Sequence, residues 1–427
     1  MANLRQIASV LAHRDFRLLW LAQSASTVGD NLVLVALSLF VIERTGSATD
    51  LGFVLAAQAL ALVAFLLIGG VFSDRLPRQR VIVATDLVRF LLHALLAALI
   101  FAGSVALWQL IAIEVLFRSA EAFFRPAAGA LLPETVPERD IQAATAATSF
   151  SANFAEFAGP ALATALVLGA GAGWAFALDA ATFLVSAALL VRVRPHPRAE
   201  GEPAAVEEER ASVWREIREG GREVRARTWI WATLAPFCVA MFAGFTTWYV
   251  LGPVVARSQY GHVGVYGFVE AAMGLGTIVG SLAGAGWRPR FPMRVAMLAV
   301  LLWPLVDMLY AFGATLSAVM PAAVLAGAGY SLFDVLWLTA LAERIPPRTL
   351  ARVTSYDWML SYALLPLGYV LAGPIAARLG AVEVLAGGSA LAAAALALGL
   401  LPRETRMLRR LEREGARPLT GELRRPS

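Results

Sequence analysis

The chain has 427 residues, of which 59% are hydrophobic and only 16% charged, with a mean hydropathy of +0.66. Soluble domains carry about 25% charged residues, so a single water-soluble core is excluded and the bilayer is the natural solvent. All 36 basic residues are Arg, which excludes a Walker A loop and a Schiff-base lysine, and with them direct ATP coupling within the chain. The net charge of +5 would suit nucleic acid. The basic residues lie between apolar runs, however, so positive loops on a cytoplasmic face are expected and a nucleic-acid partner is not.

Apolar stretches of about 20 residues, each enough to cross the hydrocarbon, predict twelve spans. The first, 17–42, holds Asp30 near its middle, flanked by Gly29 and Asn31. It is too long and too polar for a cleaved signal peptide. Spans 51–72 and 81–102 come next, and the latter carries Asp86, Arg89 and His93 as an i, i+3, i+7 stripe. Span 105–127 carries Arg118 and Glu121, three apart on one helix face. Span 142–168 carries Glu156 and Ala158-Gly159-Pro160, and span 173–194 carries Asp179. A connection at 195–228 opens with Pro195, Pro197, Gly201 and Pro203 and then turns charged. Val213, Ile217 and Val224 recur there at helical spacing, which predicts an amphipathic surface helix. Spans 229–255, 264–286, 293–313, 317–341, 354–377 and 382–401 complete the set, with Glu270, Asp307 and Asp334 inside them. Cys238 is the only cysteine, so no intramolecular disulfide forms, and the four His show no metal-ligand spacing. Neither a metal nor a cofactor is expected.

Arg placement sets the orientation. Connections after odd-numbered spans hold only Arg44, Arg257 and Arg378, and Arg89, Arg118 and Arg125 fall in span interiors; the other 30 lie at the termini, in even-numbered connections or at the span ends that adjoin them. Both termini are therefore expected in the cytoplasm. The halves echo each other: Glu134, Pro137 and Arg139 recur as Glu343, Pro346 and Arg348, and Ala158-Gly159-Pro160 recurs as Ala372-Gly373-Pro374. The fold expected is an all-α membrane protein of twelve transmembrane helices in two six-helix pseudo-repeat bundles. The organisation expected is a first bundle at 1–194, a cytoplasmic linker at 195–228, a second bundle at 229–402 and a tail at 403–427.

The second connection reads Gly69-Gly70-Val71-Phe72-Ser73-Asp74-Arg75-Leu76-Pro77-Arg78-Gln79-Arg80. Its Gly70, Asp74, Arg75 and Arg78 resemble the cytoplasmic loop signature of the major facilitator superfamily. Pro77 stands where that signature has Gly, and Gln79 separates the final Arg pair. Ala158-Gly159-Pro160 is similar to the motif of the antiporter branch. The stretch from Arg118 to Pro133, with Phe123-Phe124-Arg125-Pro126 and Leu131-Leu132-Pro133-Glu134, looks like the branch containing macrolide, tetracycline and siderophore exporters. The resemblance implies the major facilitator fold and proton antiport. It implies that Asp74 touches the cytoplasmic start of span 11, where Thr354 and Ser355 look like a helix cap. It also implies that Gly159-Pro160 forms a seal or hinge, with simple helix packing as the alternative, and that Arg118 takes part in proton movement.

Charges inside the bilayer are costly and are functional candidates by default. Asp30 and Glu121 are expected to carry protons or bind cationic substrate, with Arg118 tuning a neighbour's proton affinity; a static buried ion pair is the alternative. Glu156 is a weaker candidate of the same kind, with no partner named by the sequence. His93 suits a proton relay or a satisfied interior histidine. Asp179 and Glu270 are placed near outer ends with access to water, and Asp307 and Asp334 along the second half of a cavity. Asp357 is placed as an acidic helix-start residue, and Trp20, Trp174, Trp229, Trp231, Trp248, Tyr249 and Trp287 as interface anchors, with stacking on substrate as the alternative for any that face the cavity. The function expected is export of small organic molecules by proton antiport and alternating access, without catalysis. Uptake or lipid flipping by the same fold, and a non-transporting receptor, are the alternatives. The expected partners are a small-molecule substrate, protons and the bilayer, and the expected unit is a monomer in the plasma membrane.

Overall fold

The computed structural model describes residues 9–194 and 221–410, apart from the side chains of 66–75, 285, 347–348, 351–352 and 355. Within the linker, residues 221–226 are helical, and the rest of the expected amphipathic helix lies outside the described residues.

Among the described residues, twelve long helical rods succeed one another. The first six are α1 (Arg14–Thr45), α2 (Ala48–Arg75), α3 (Arg78–Phe101), α4 (Leu107–Leu131), α5 (Ile141–Ala170) and α6 (Ala172–Leu190). The second six are α7 (Thr228–Tyr260), α8 (Gly264–Gly286), α9 (Pro292–Ala311), α10 (Leu316–Arg344), α11 (Pro347–Tyr362 and Leu365–Leu379) and α12 (Ala381–Leu398). Among the described residues, 11 helices are long and apolar enough to cross a membrane. The remaining rod, α4, matches them in length at 25 residues and differs in carrying Glu114, Arg118, Glu121 and Arg125. Large apolar side chains such as Leu91, Leu282 and Leu325 stand exposed on the outer surface, as hydrocarbon-facing residues do.

Every expected span falls on a helix. The largest boundary difference is at α11, which begins at Pro347 and not near 354. Thr354 is an interior residue whose hydroxyl donates to the Leu350 carbonyl at 3.0 Å, so the expected cap at Thr354 and Ser355 is corrected. Pro346 stands at the N-cap instead, with proline in the first helical turn, where its missing N–H costs nothing. The apolar pattern starts later than the helix because the first two turns of α11 are polar.

In the first half, α1 packs on α5 and α6, α2 on α4, and α3 on α4 and α6. In the second half, α8 and α9 pack on α10, and α12 packs on α7 and α9. Among the described residues the halves join chiefly through two pairs, α5 with α8 and α2 with α11, and α7 also touches α1 and α2. A shift of six helices turns one pair into the other, as an internal repeat requires.

Small residues allow this approach. A Cβ at Gly274 in α8 would overlap the Glu156 carbonyl in α5, and one at Gly52 in α2 would overlap the Tyr369 carbonyl in α11. One at Gly267 would strike Thr164. Gly52, Tyr369, Thr164 and Gly267 all lie toward the odd-numbered connections, so the halves are sealed at that face. Overpacking typically costs about 1–3 kcal/mol. Gly274→Leu is therefore expected to wedge α5 from α8, leaving the protein inserted but its transport reduced at least about tenfold. Membrane yield and vesicle uptake, measured together, check this.

Candidate functional site

Two polar regions lie inside the bundle. The first is buried in the first half. Arg89, with a fully buried side chain, pairs with Asp86 on its own helix and approaches Asp30 of α1 at 3.8 Å. The Ser186 hydroxyl of α6 donates to the second Asp86 oxygen at 2.6 Å. The Arg89 guanidinium is sandwiched between the rings of Phe124 and Phe183, 4.2 and 4.3 Å from their centroids, a cation–π arrangement suited to a desolvated cation.

One turn further along α3, His93 bridges two acids. Its Nδ1 meets Asp179 of α6, and its Nε2 lies 3.6 Å from Glu114 of α4. Gln58 of α2 donates to the other Glu114 oxygen at 2.7 Å. The His93 ring stacks on Phe117 at 3.8 Å. On α4, Glu121 is clamped by Arg118 at 2.6 Å and by Arg125 at 2.6 and 2.8 Å.

The region thus holds five carboxylates, Asp30, Asp86, Glu114, Glu121 and Asp179, against three guanidiniums and His93. Even with His93 charged, the carboxylates outnumber the cations by one. Uncompensated charge in so buried a place is very costly, so the network is suited to hold exchangeable protons. Asp30 is its most open acid, with 28% of its side chain exposed.

The second region is a cavity of about 250 Å³ between the halves. Asn31 and Leu34 of α1 and Glu156 and Pro160 of α5 line it from the first half. Phe245, Trp248 and Tyr249 of α7, Glu270, Met273, Gly274 and Thr277 of α8, Trp303 of α9, Gly327 and Tyr330 of α10, and Tyr362 of α11 line it from the second. Among the described residues, three helices lose their regular path at this wall; α9 does so at Leu301, just ahead of Trp303. A π-helical turn at Met241–Phe245 delivers Phe245, Trp248 and Tyr249. The break between Tyr362 and Leu365, ahead of Pro366, delivers Tyr362. Interrupted helices at the mid-plane are a recurring feature of transporter binding sites. Trp248 donates its indole N–H to Glu270.

The sequence-predicted residues divide between these two regions and the cytoplasmic loop. Asp30 belongs to the charged network and sits one position before Asn31 at the cavity wall. Arg118 and Glu121 pair as their spacing predicts. Glu156 is exposed into the cavity. Gly159 packs on the α1 backbone at Asn31 and Leu32, where it allows α5 and α1 to touch. Arg78 pairs with Glu134 and donates to the Ala130 carbonyl at 3.2 Å. Gln79, which departs from the loop signature, donates to the Leu190 and Val193 carbonyls at the end of α6 at 2.6 and 2.7 Å. The side chains of Gly70, Asp74 and Arg75 lie outside the described residues.

Several placements differ from expectation. Asp179 is fully buried on His93, not water-exposed near an end. Glu270 faces the cavity. Asp357 is no helix-start residue: it lies mid-helix and accepts from the Trp337 indole at 2.8 Å. Trp229 and Trp248 are buried, so they are not interface anchors. Asp307 is fully buried, and neither of its oxygens has a partner among the described residues. Glu114 and Gln58 escape the sequence reading, although Glu114, Arg118 and Glu121 share one face of α4 by spacing.

A family model described as "Major Facilitator Superfamily" matches residues 19–368. Macrolide efflux protein A of Streptococcus pyogenes is 20% identical over 378 residues, covering 86% of this chain and 90% of that one. Multidrug efflux pump Tap of Mycobacterium bovis (strain BCG / Pasteur 1173P2) is 26% identical over 379 residues, covering 84% and 86%. Among solved structures, a bacterial homologue of the human lysosomal transporter Spinster, in an inward-facing and unoccupied conformation, aligns with a TM-score of 0.67 at 16% identity, covering 94% of this chain and 96% of that one. A transporter of the POT family in complex with a thioalcohol-conjugated peptide aligns with a TM-score of 0.69 at 12% identity, covering 91% and 95%.

Proposed function

The chain belongs to the major facilitator superfamily, and we propose that it exports small organic molecules, drug- or siderophore-like, by proton antiport and alternating access. The observation that carries this reading is the charged network with surplus carboxylates that ends at Asp30, next to Asn31 on the cavity wall. A proton arriving at Asp30 changes the charge beside the substrate cavity. Proton binding and substrate binding are then linked, and each changes the affinity for the other. Arg118 and Glu121 pair within the same network. Glu156 reaches the cavity directly, and Gly159-Pro160 keeps α5 close enough to α1 to transmit the change. The efflux names of two relatives support the outward direction.

The two bundles, 1–194 and 229–402, rock about the sealed pairs α5–α8 and α2–α11, with 195–228 as the linker between them. Since Arg crowds the even-numbered connections, both termini lie in the cytoplasm and the sealed face is the outer one. The protein works as a monomer in the plasma membrane, because one chain encloses the whole cavity. The loop of Gly70, Asp74, Arg75 and Arg78 gates the cytoplasmic side by contacting the start of α11, whose helix end attracts an acid.

A dye and antibiotic efflux panel in a pump-deleted host, with and without a protonophore, tests the reading. Protonophore-sensitive protection is the expected result, and absence of any protection at normal expression would overturn it. Asp74→Asn is expected to cut efflux at least about fivefold while leaving membrane insertion intact. Unchanged efflux would remove the loop from the mechanism.

A further inference from the structure

The cavity has a chemistry of its own, apart from proton coupling. Two carboxylates enter it from opposite halves, Glu156 from α5 and Glu270 from α8. No basic side chain is among its lining residues, and neither acid forms an ion pair with any described residue. Glu270 accepts the indole N–H of Trp248. That donor is neutral, so it orients the carboxylate without balancing its charge. Aromatic rings, Tyr249, Trp303 and Tyr330 among them, form much of the remaining wall, beside Asn31, Leu34, Met273 and Thr277.

We infer that this cavity is an organic-cation site, in which Glu156 and Glu270 neutralise a ligand ammonium and the aromatic walls enclose its apolar body. Resting on the reading of the cavity as the transport site, this inference narrows the substrate class. An anion would meet two unpaired carboxylates in a place of low dielectric and be repelled. A neutral molecule would leave both acids uncompensated. A cation satisfies both acids and gains from the ring faces, as in the aromatic cages that hold quaternary ammonium groups. The acids belong to different halves, so a bound cation touches both bundles at once.

The test is a calorimetric titration of the purified full chain in lipid nanodiscs. The probes are benzyltrimethylammonium and N-benzylacetamide, which are similar in size and differ in charge. The cation is expected to bind at least about tenfold more tightly than the neutral probe. Its advantage is expected to fall below about threefold in the Glu156→Gln/Glu270→Gln double variant. Should the double variant not yield a monodisperse protein, Glu156→Gln alone serves, because Glu156 is exposed and its loss disturbs no described ion pair. Equal affinity of the unaltered chain for both probes would overturn the inference, as would a cation advantage that survives loss of both acids. Selective binding without gradient-driven transport would leave this inference standing and sink the export reading. Gradient-driven export without cation preference would do the reverse.

Discussion

Replacing Arg89 with leucine is expected to destabilise the first half by about 3–5 kcal/mol and to abolish transport. Arg89 is a fully buried cation whose removal strands two acids, Asp86 and Asp30. It also empties the space between Phe124 and Phe183. Removing one partner of a buried pair costs far more than removing both, because the survivor loses its counter-charge where little water can replace it. The apparent melting temperature in detergent is therefore expected to fall by roughly 10 °C. Adding Asp86→Leu to Arg89→Leu is expected to recover part of that loss. An Arg89→Leu protein as stable and active as the parent would show that the network carries no energetic weight.

The second large effect is expected at Asp179. Asp179→Asn keeps the size of the side chain and a hydrogen-bonding group toward His93, but it removes one of the surplus negative charges. If the network stores the coupled proton, this variant exchanges substrate across the membrane without responding to a pH gradient. Counterflow of labelled substrate, which needs no gradient, should stay within about twofold of the parent. Uptake driven by a pH gradient should fall at least about tenfold. Equal losses in both assays would indicate that Asp179 is needed only for folding. No loss in either would place the proton elsewhere.

The helices and the local pairs are legible in the sequence, and for a physical reason. Helix length is set by bilayer thickness, so a run of apolar residues announces each span. Partners three or four apart meet on any helix, so spacing alone pairs Asp86 with Arg89 and Arg118 with Glu121. Long-range pairs are not legible. His93 meets Asp179 across 86 positions and Gln58 meets Glu114 across 56, and only the packing of α3 on α6 and of α2 on α4 brings them together. Asp179 and Glu270 lie within a few turns of a helix start, which suggests access to water. Burial is decided by neighbouring helices, and both starts are covered. Trp248 reads as an anchor because it lies near the end of its span; its helical phase is set elsewhere. The π-helical turn at Met241–Phe245 inserts an extra residue into that phase and rotates the later side chains toward the cavity. The cap of α11 is misplaced for a related reason: apolar periodicity marks where a helix enters the hydrocarbon, not where its first hydrogen bond forms.

The central claim is that proton entry drives substrate exit through the cavity between the halves. Everted membrane vesicles containing the protein test it most directly, because their interior corresponds to the cell exterior. Acidifying that interior should load a transported dye into the vesicles, and a protonophore should release it. Dye accumulation that ignores the gradient, or that requires an alkaline interior, would contradict the account.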